Sequence, residues 1–239
     1  MALDAYVMPL WRFKSGFFET AMQSKLTPLG VPVQVVTTGA TRSPRYRWKR
    51  LLAFKARCST RHLARMVSTA TDREVRWRDD GPVVYCEQFH WGITPLRAYA
   101  KWLDYQDFIP DWNADPAKPF EEHPVFKSSL PDRSPSFPLI VRGDFWYGYF
   151  LPCDFDTLVP VEKMLLGGWC EQWRLAGSSV ALRAELMRLN ETLRVPTGPE
   201  WKSQPRPGDP WFAPRYVWDQ LTIMSELSCT HGLPIIFCS

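Results

Sequence analysis

Apolar and polar positions from Leu3 to Met8 alternate imperfectly until Pro9 interrupts them, a pattern that predicts a strand near a sheet edge. The valine-rich run from Val31 to Thr37, opened by Pro32, predicts a second strand. Trp48 to Val67 contains no Gly or Pro and supplies Leu51, Leu52, Leu63 and Val67 for the apolar face of a helix. A short apolar strand is expected at Pro82 to Cys86. Thr94-Pro95 is a helix start, with a threonine able to cap and proline at the first helical position, and that helix should run to about Tyr105. Phe137 to Val141 and Phe145 to Leu151 are aromatic and apolar runs separated by Arg142-Gly143-Asp144, which predicts a hairpin with a glycine-containing turn. The Arg-Gly-Asp tripeptide also invites a cell-adhesion reading; without a secretion signal, the turn is the expectation. After Pro160 the sequence reads as two helical stretches broken by glycines, the second with Leu182, Leu186, Leu189 and Leu193 in one seam. The last helix is almost wholly apolar apart from one sector holding Arg215, Asp219, Glu226 and Thr230. Gly232 is placed to end it, and Leu233 to Cys238 reads as a buried terminal strand integral to the core.

Strands scattered among helices without a repeating unit predict an α+β fold, a mixed or antiparallel sheet packed against several helices in a single domain spanning residues 1–239. Seven prolines between Pro110 and Pro138, and six between Pro196 and Pro214, predict long irregular surface loops near 110–138 and 196–214. No glycine-rich phosphate loop is present, so the common nucleotide-binding folds have no support and no cofactor is expected.

Composition adds little to this outline. With 45% hydrophobic and 23% charged residues, a chain of 239 residues has ample material for a core and is neither disordered nor collagenous. The first dozen residues lack the features of a signal peptide, and the uncharged stretch from Leu26 to Thr41 is too short and too broken by Pro and Gly to span a bilayer. A cytoplasmic, non-membrane protein is the expectation. The six cysteines, with no Cys-x-x-Cys pair, read as small buried hydrophobes in a reducing compartment.

Charge changes the picture more. Between Thr20 and Thr71 there is no Asp or Glu but ten Lys and Arg, so the net charge of +4 hides a strongly asymmetric chain whose remainder carries −6. On a helix, Arg47, Arg50, Arg57, Arg61 and Arg65 share a stripe about 80° wide, suited to phosphates or to an acidic partner surface. Ser178 and Ser179, just ahead of a helix, are the residues of an ordinary N-cap and also candidates for holding an anion. Cys86, Glu87 and His90 bring a thiol, a carboxylate and an imidazole close to the end of a strand, the weak candidate for a catalytic group. The histidines stand alone, and no metal site is expected. The twelve tryptophans are scattered and read mainly as anchors in or near the core.

Tyr149-Phe150-Leu151-Pro152-Cys153-Asp154-Phe155, Gly177-Ser178-Ser179 with its leucine helix, and the ending His231 to Phe237 resemble a family of bacterial proteins of similar size to which no activity is assigned. What that resemblance implies is fold-like: small α+β proteins of this appearance include immunity proteins. The functional expectation is therefore a protein that binds another protein in an immunity or accessory role. The alternatives are an enzyme with its site around Cys86 to His90, and nucleic-acid or anion binding through the basic stripe of residues 42–65.

Overall fold

The terminal strand carries the clearest alternation in the molecule. In this computed structural model, which describes residues 3–16, 18, 23, 26–30, 46–89, 93–112, 118–127, 130–166, 170–196, 198 and 209–238, β6 (Ile235–Cys238) lies third of six in a mixed sheet. The order is β2-β1-β6-β3-β5-β4, with β1 at Leu3–Val7, β2 at Tyr85–Phe89, β3 at Tyr149–Leu151, β4 at Val159–Leu166 and β5 at Cys170–Ser178. Only β3 and β5 run parallel. Successive strand residues face opposite sides. Ala5, Val7, Phe150, Ile235 and Phe237 thus fill one core, while Tyr6, Met8, Tyr149, Leu151 and Ile236 fill the other. Because both faces are covered, these strands read as continuous apolar runs.

One cover layer holds α1 (Leu10–Ser15) and α2 (Tyr46–Thr71). The other holds α3 (Thr94–Asp104), α4 (Pro124–Lys127), α5 (Pro138–Arg142), α6 (Ser179–Leu193) and α7 (Phe212–His231). This is the expected α+β class. Pro95 stands in the first turn of α3, and the leucine seam of α6 is wholly buried. Gly232 ends α7 in the left-handed conformation, with φ at 64°, which glycine adopts without a Cβ penalty and which turns the chain into β6.

The strand at Leu3–Val7 lies near the sheet edge as expected, second of six, with β2 along its outer side and β6 along its inner side. Several other local expectations are overturned. The expected strand at Val31 to Thr37 lies outside the described residues. In α2, Leu63 and Val67 are buried as expected, but Leu51 and Leu52 are exposed: the first buried side chain among those described is Ala56, so the N-terminal turns extend past the core. The strand expected at Pro82 begins later, at Tyr85. In the first of the two stretches expected to be helical, Val159–Leu166 is instead the strand β4, paired antiparallel with β5 at Cys170–Ser178. In the proline-rich passage after Pro110, Phe120–Glu122 and Pro124–Lys127 form helical turns, and His123 and Val125 are buried. Pro124 opens its turn, where the missing N–H costs nothing.

The predicted hairpin around Arg142 is instead the helix α5 followed by β3. The reason is non-local: the buried carboxylate of Glu185, on α6, accepts the N–H groups of Leu139 (3.0 Å) and Ile140 (3.0 Å), capping the first turn of α5. Gly143 has no room for a Cβ, which would sit 2.4 Å from the Leu139 carbonyl oxygen. Asp144 is buried and accepts the N–H groups of Trp146 and Tyr147. An adhesion motif is therefore ruled out by burial.

Two outcomes follow from this architecture. A chain truncated after Gly232 loses the strand that joins β1 to β3 and should show no cooperative thermal transition, while Phe237→Ala should cost about 3–5 kcal/mol in urea denaturation. Burial pushes the Glu185 carboxyl up to about 7, so the folded chain holds a proton that the unfolded chain has released above the ordinary value near 4.5. Its contribution is fully present below that ordinary value and is lost as pH rises to about 7, by about 3 kcal/mol. Glu185→Gln should flatten this slope between pH 5 and 8.

Candidate protein-docking surface

The C-terminal end of α3 gathers negative charge. Asp104 closes the helix and accepts hydrogen bonds from the Ser134 hydroxyl and from the Ser136 N–H (3.2 Å), tying residues 134–136 to it. The next turn is held against the core by the Trp102 indole N–H, which donates to the Ile109 carbonyl at 2.7 Å. This fixes Asp107 and Phe108 at the surface, where Phe108 is 73% exposed. Asp111 is exposed beside Trp112, whose ring lies 4.6 Å from that of His123, next to the exposed Glu122 and Glu121. Asp132, exposed, is 3.8 Å from the buried Lys101 ammonium on α3. No hydrogen bond or ion pair joins the side chains of Asp107, Asp111 or Glu121 to another described residue.

A rigid aromatic layer lies beneath these carboxylates. Tyr99, Trp102, Trp112 and Trp211 make mutual ring contacts with centroids 5.3–6.0 Å apart. The Trp112 indole N–H donates to the Pro210 carbonyl. His123 accepts the Val125 N–H at Nδ1, which places its proton on Nε2, and burial pushes its pKa down to about 4. It is therefore neutral at physiological pH and adds no positive charge to the surface. Asp104, the last residue of α3, sits in the negative end of the helix dipole, a placement that costs about 0.3–1 kcal/mol.

On the opposite cover layer, Arg50, Arg57, Arg61 and Arg65 are exposed along α2, on which Arg47 also lies. The Arg57 guanidinium lies 4.7 Å over the Trp11 ring. The structure thus gathers the predicted stripe on one helix. Cys86 and Glu87 are consecutive on β2: Cys86 packs against the core shared with α1 and α2, and strand alternation turns Glu87 to the other face. His90 lies outside the described residues. Ser178 and Ser179 are fully buried. The Ser178 hydroxyl accepts the Ala181 N–H at 2.9 Å and donates to the Cys153 carbonyl, and the Ser179 hydroxyl donates to the Leu151 carbonyl. Ser178 is thus the N-cap, while Ser179 ties the helix start to β3, and both hydroxyls are buried away from solvent. Among the described residues no cluster of His, Cys, Asp and Glu could hold a metal, and no helix is long and apolar enough to cross a membrane.

Two groupings were not anticipated from the sequence. The Lys14 ammonium is paired with Glu162 and donates to the Ser59 hydroxyl, while Tyr149 and Arg174 also bond to Glu162. Burial and the nearby Arg174 charge bring the Lys14 pKa down to about 8. Its contacts with Glu162 and Ser59 close this network on itself. The acidic surface did leave a sequence signal, since residues 104–132 contain seven Asp and Glu against two Lys. Because Trp112 joins this surface to the core, Trp112→Ala should lower stability by about 3–5 kcal/mol and speed proteolytic cleavage between Asp104 and Glu122 while leaving cleavage within α6 unchanged.

No curated protein and no solved structure matches the chain. One family model does, over residues 61–237, and its description is "Putative DNA-mimic protein". That finding replaces the immunity or accessory role expected from the sequence, together with the alternatives of an enzyme at Cys86 to His90 and of nucleic-acid or anion binding through the arginines. The matched span contains 23 of the 25 acidic residues and 19 of the 29 basic ones, net −4, and leaves out the first 60 residues, net +8. With well over half of its residues inside this match, the chain belongs to the putative DNA-mimic protein family.

Proposed function

We propose that the protein is a DNA decoy: the acidic surface at the end of α3 occupies the DNA-binding face of a DNA-binding protein and thereby keeps DNA from it. The observation that carries this reading is the set of exposed carboxylates of Asp107, Asp111 and Glu121, engaged by no other described residue and held on an aromatic platform inside the span matched by the family. A DNA-binding protein presents Lys and Arg to a duplex that carries one negative charge per about 1.7 Å of axis. Carboxylates fixed on a rigid scaffold offer those cations the same sign of charge without the entropy cost of ordering a flexible acidic tail. Phe108, set among them, gives the interface an apolar contact that a phosphate backbone lacks.

The reading predicts release of DNA-binding proteins. Proteins of the source cells are loaded on DNA–cellulose at low salt, and the purified chain is passed over the column. It should elute a defined subset, and each released protein, once purified, should bind the chain with an affinity that falls steeply with added salt. The Asp107→Asn, Asp111→Asn, Glu121→Gln triple variant should elute at least about tenfold less, equivalent to about 1.4 kcal/mol of lost binding. Elution by the variant equal to that by the wild type, or none by the wild type above buffer alone, would overturn the decoy reading.

A further inference from the structure

The decoy reading uses one charged face and leaves the other, the arginine face of α2, without a role. We propose that this face docks the acidic surface of a second copy of the chain, so that copies associate head to tail. Residues three and four apart are neighbours on a helix, which places Phe54 between Arg50 and Arg57 and in line with Arg61 and Arg65. The Phe54 ring is 64% exposed, and Leu51 beside it is exposed as well. None of Arg50, Arg57, Arg61 and Arg65 forms an ion pair within 4 Å with a described acid, although Asp79 is near enough to Arg57 and Arg61 to feel their charge. A single exposed phenyl ring is ordinary on a protein surface and by itself means nothing. The argument rests on the match between two faces of one molecule: Phe54 set in cations, and Phe108 set between the exposed carboxylates of Asp107 and Asp111.

The same charges choose the occupant. A protein recognised through its DNA-binding face presents cations, which α2 repels. This chain's own acidic surface presents anions around an exposed ring, the complement in both sign and polarity. The contact is heterologous, the two patches being different, so it closes into a ring or extends as a chain of copies rather than forming a symmetric pair. The proposal itself does not depend on the decoy reading. If both hold, a DNA-binding protein and a neighbouring copy compete for the acidic surface, and self-association restrains the decoy until a more strongly basic partner displaces the α2 face.

The test uses the full chain alone, so its failure is distinct from failure of the decoy reading. Sedimentation equilibrium at about 50 mM salt should give a mass that rises with concentration above that of one chain, reverting to a single chain at about 0.5 M salt, where the Debye length shrinks to about 4 Å. The Arg50→Glu, Arg61→Glu, Arg65→Glu variant should sediment as a single chain at low salt. So should the Asp107→Lys, Asp111→Lys, Glu121→Lys variant. Mixed in equal amounts, the two variants have complementary faces again and should associate, a recovery that misfolded chains would not give. A wild type that stays a single chain at about 100 µM and low salt, a variant that associates like the wild type, or a mixture that does not associate would each overturn the proposal.

Discussion

Everything in this fold hangs on a four-residue strand at the end of the chain that must be apolar on both sides. Ile235 and Phe237 face the core under α3, α5, α6 and α7, while Ile236 faces the core under α1 and α2. The same strand hydrogen-bonds β1 on one side and β3 on the other, joining the N-terminal β1–β2 pair to β3, β4 and β5. Side chains of this size are worth about 1.5–3 kcal/mol each when fully buried. Two cores thus share one wall, and neither closes without it. Ser228 on α7 reinforces the approach to β6, its hydroxyl donating to the Leu233 carbonyl at 2.6 Å.

With the central strands covered on both faces, the charged surfaces described above lie on the outer sides of the two helical layers. There the molecule separates its charges. The acids collect past the end of α3, over a layer of Tyr and Trp that holds irregular, proline-rich chain in one shape. The arginines line α2 on the other side of the sheet. Asp104 opposes the dipole of its own helix, and the arginines repel one another along theirs, offset in part by Asp79 near Arg57 and Arg61 and by the Trp11 ring beneath Arg57. Exposed, ordered charge of one sign marks surfaces suited to contact with something else.

Membership of the DNA-mimic family and a net charge of +4 are reconciled by this separation. A decoy for DNA needs local negative potential, not a negative total, because screening limits the reach of exposed charges to about 10 Å at ordinary salt. The positive excess lies mainly in the first 60 residues, outside the matched span and, where described, on the opposite layer.

Elements governed by local chemistry were legible in the sequence. Pro95 opens a helix because proline is preformed for a first turn, although Ile93 rather than Thr94 takes the cap position, the leucines of α6 repeat at helical spacing, and Gly232 ends α7 because a left-handed residue is needed there. The burial of residues 233–237 followed from their unbroken apolar run. What only tertiary structure decided depends on partners distant in the chain. Leu139-Ile140-Val141 reads as a strand by composition, yet it coils because Glu185, more than forty residues later, caps its first turn. Val159–Leu166 and Cys170–Ser178 pair as strands, with β3 offering β5 a parallel edge. Leu51 and Leu52 carry the spacing of a buried face, but the core ends before it reaches them. The acidic surface joins Asp107 and Asp111 to Glu121 through a tryptophan and a histidine that stack across the loop. Periodicity reports which side of an element is apolar; only packing determines what that side meets.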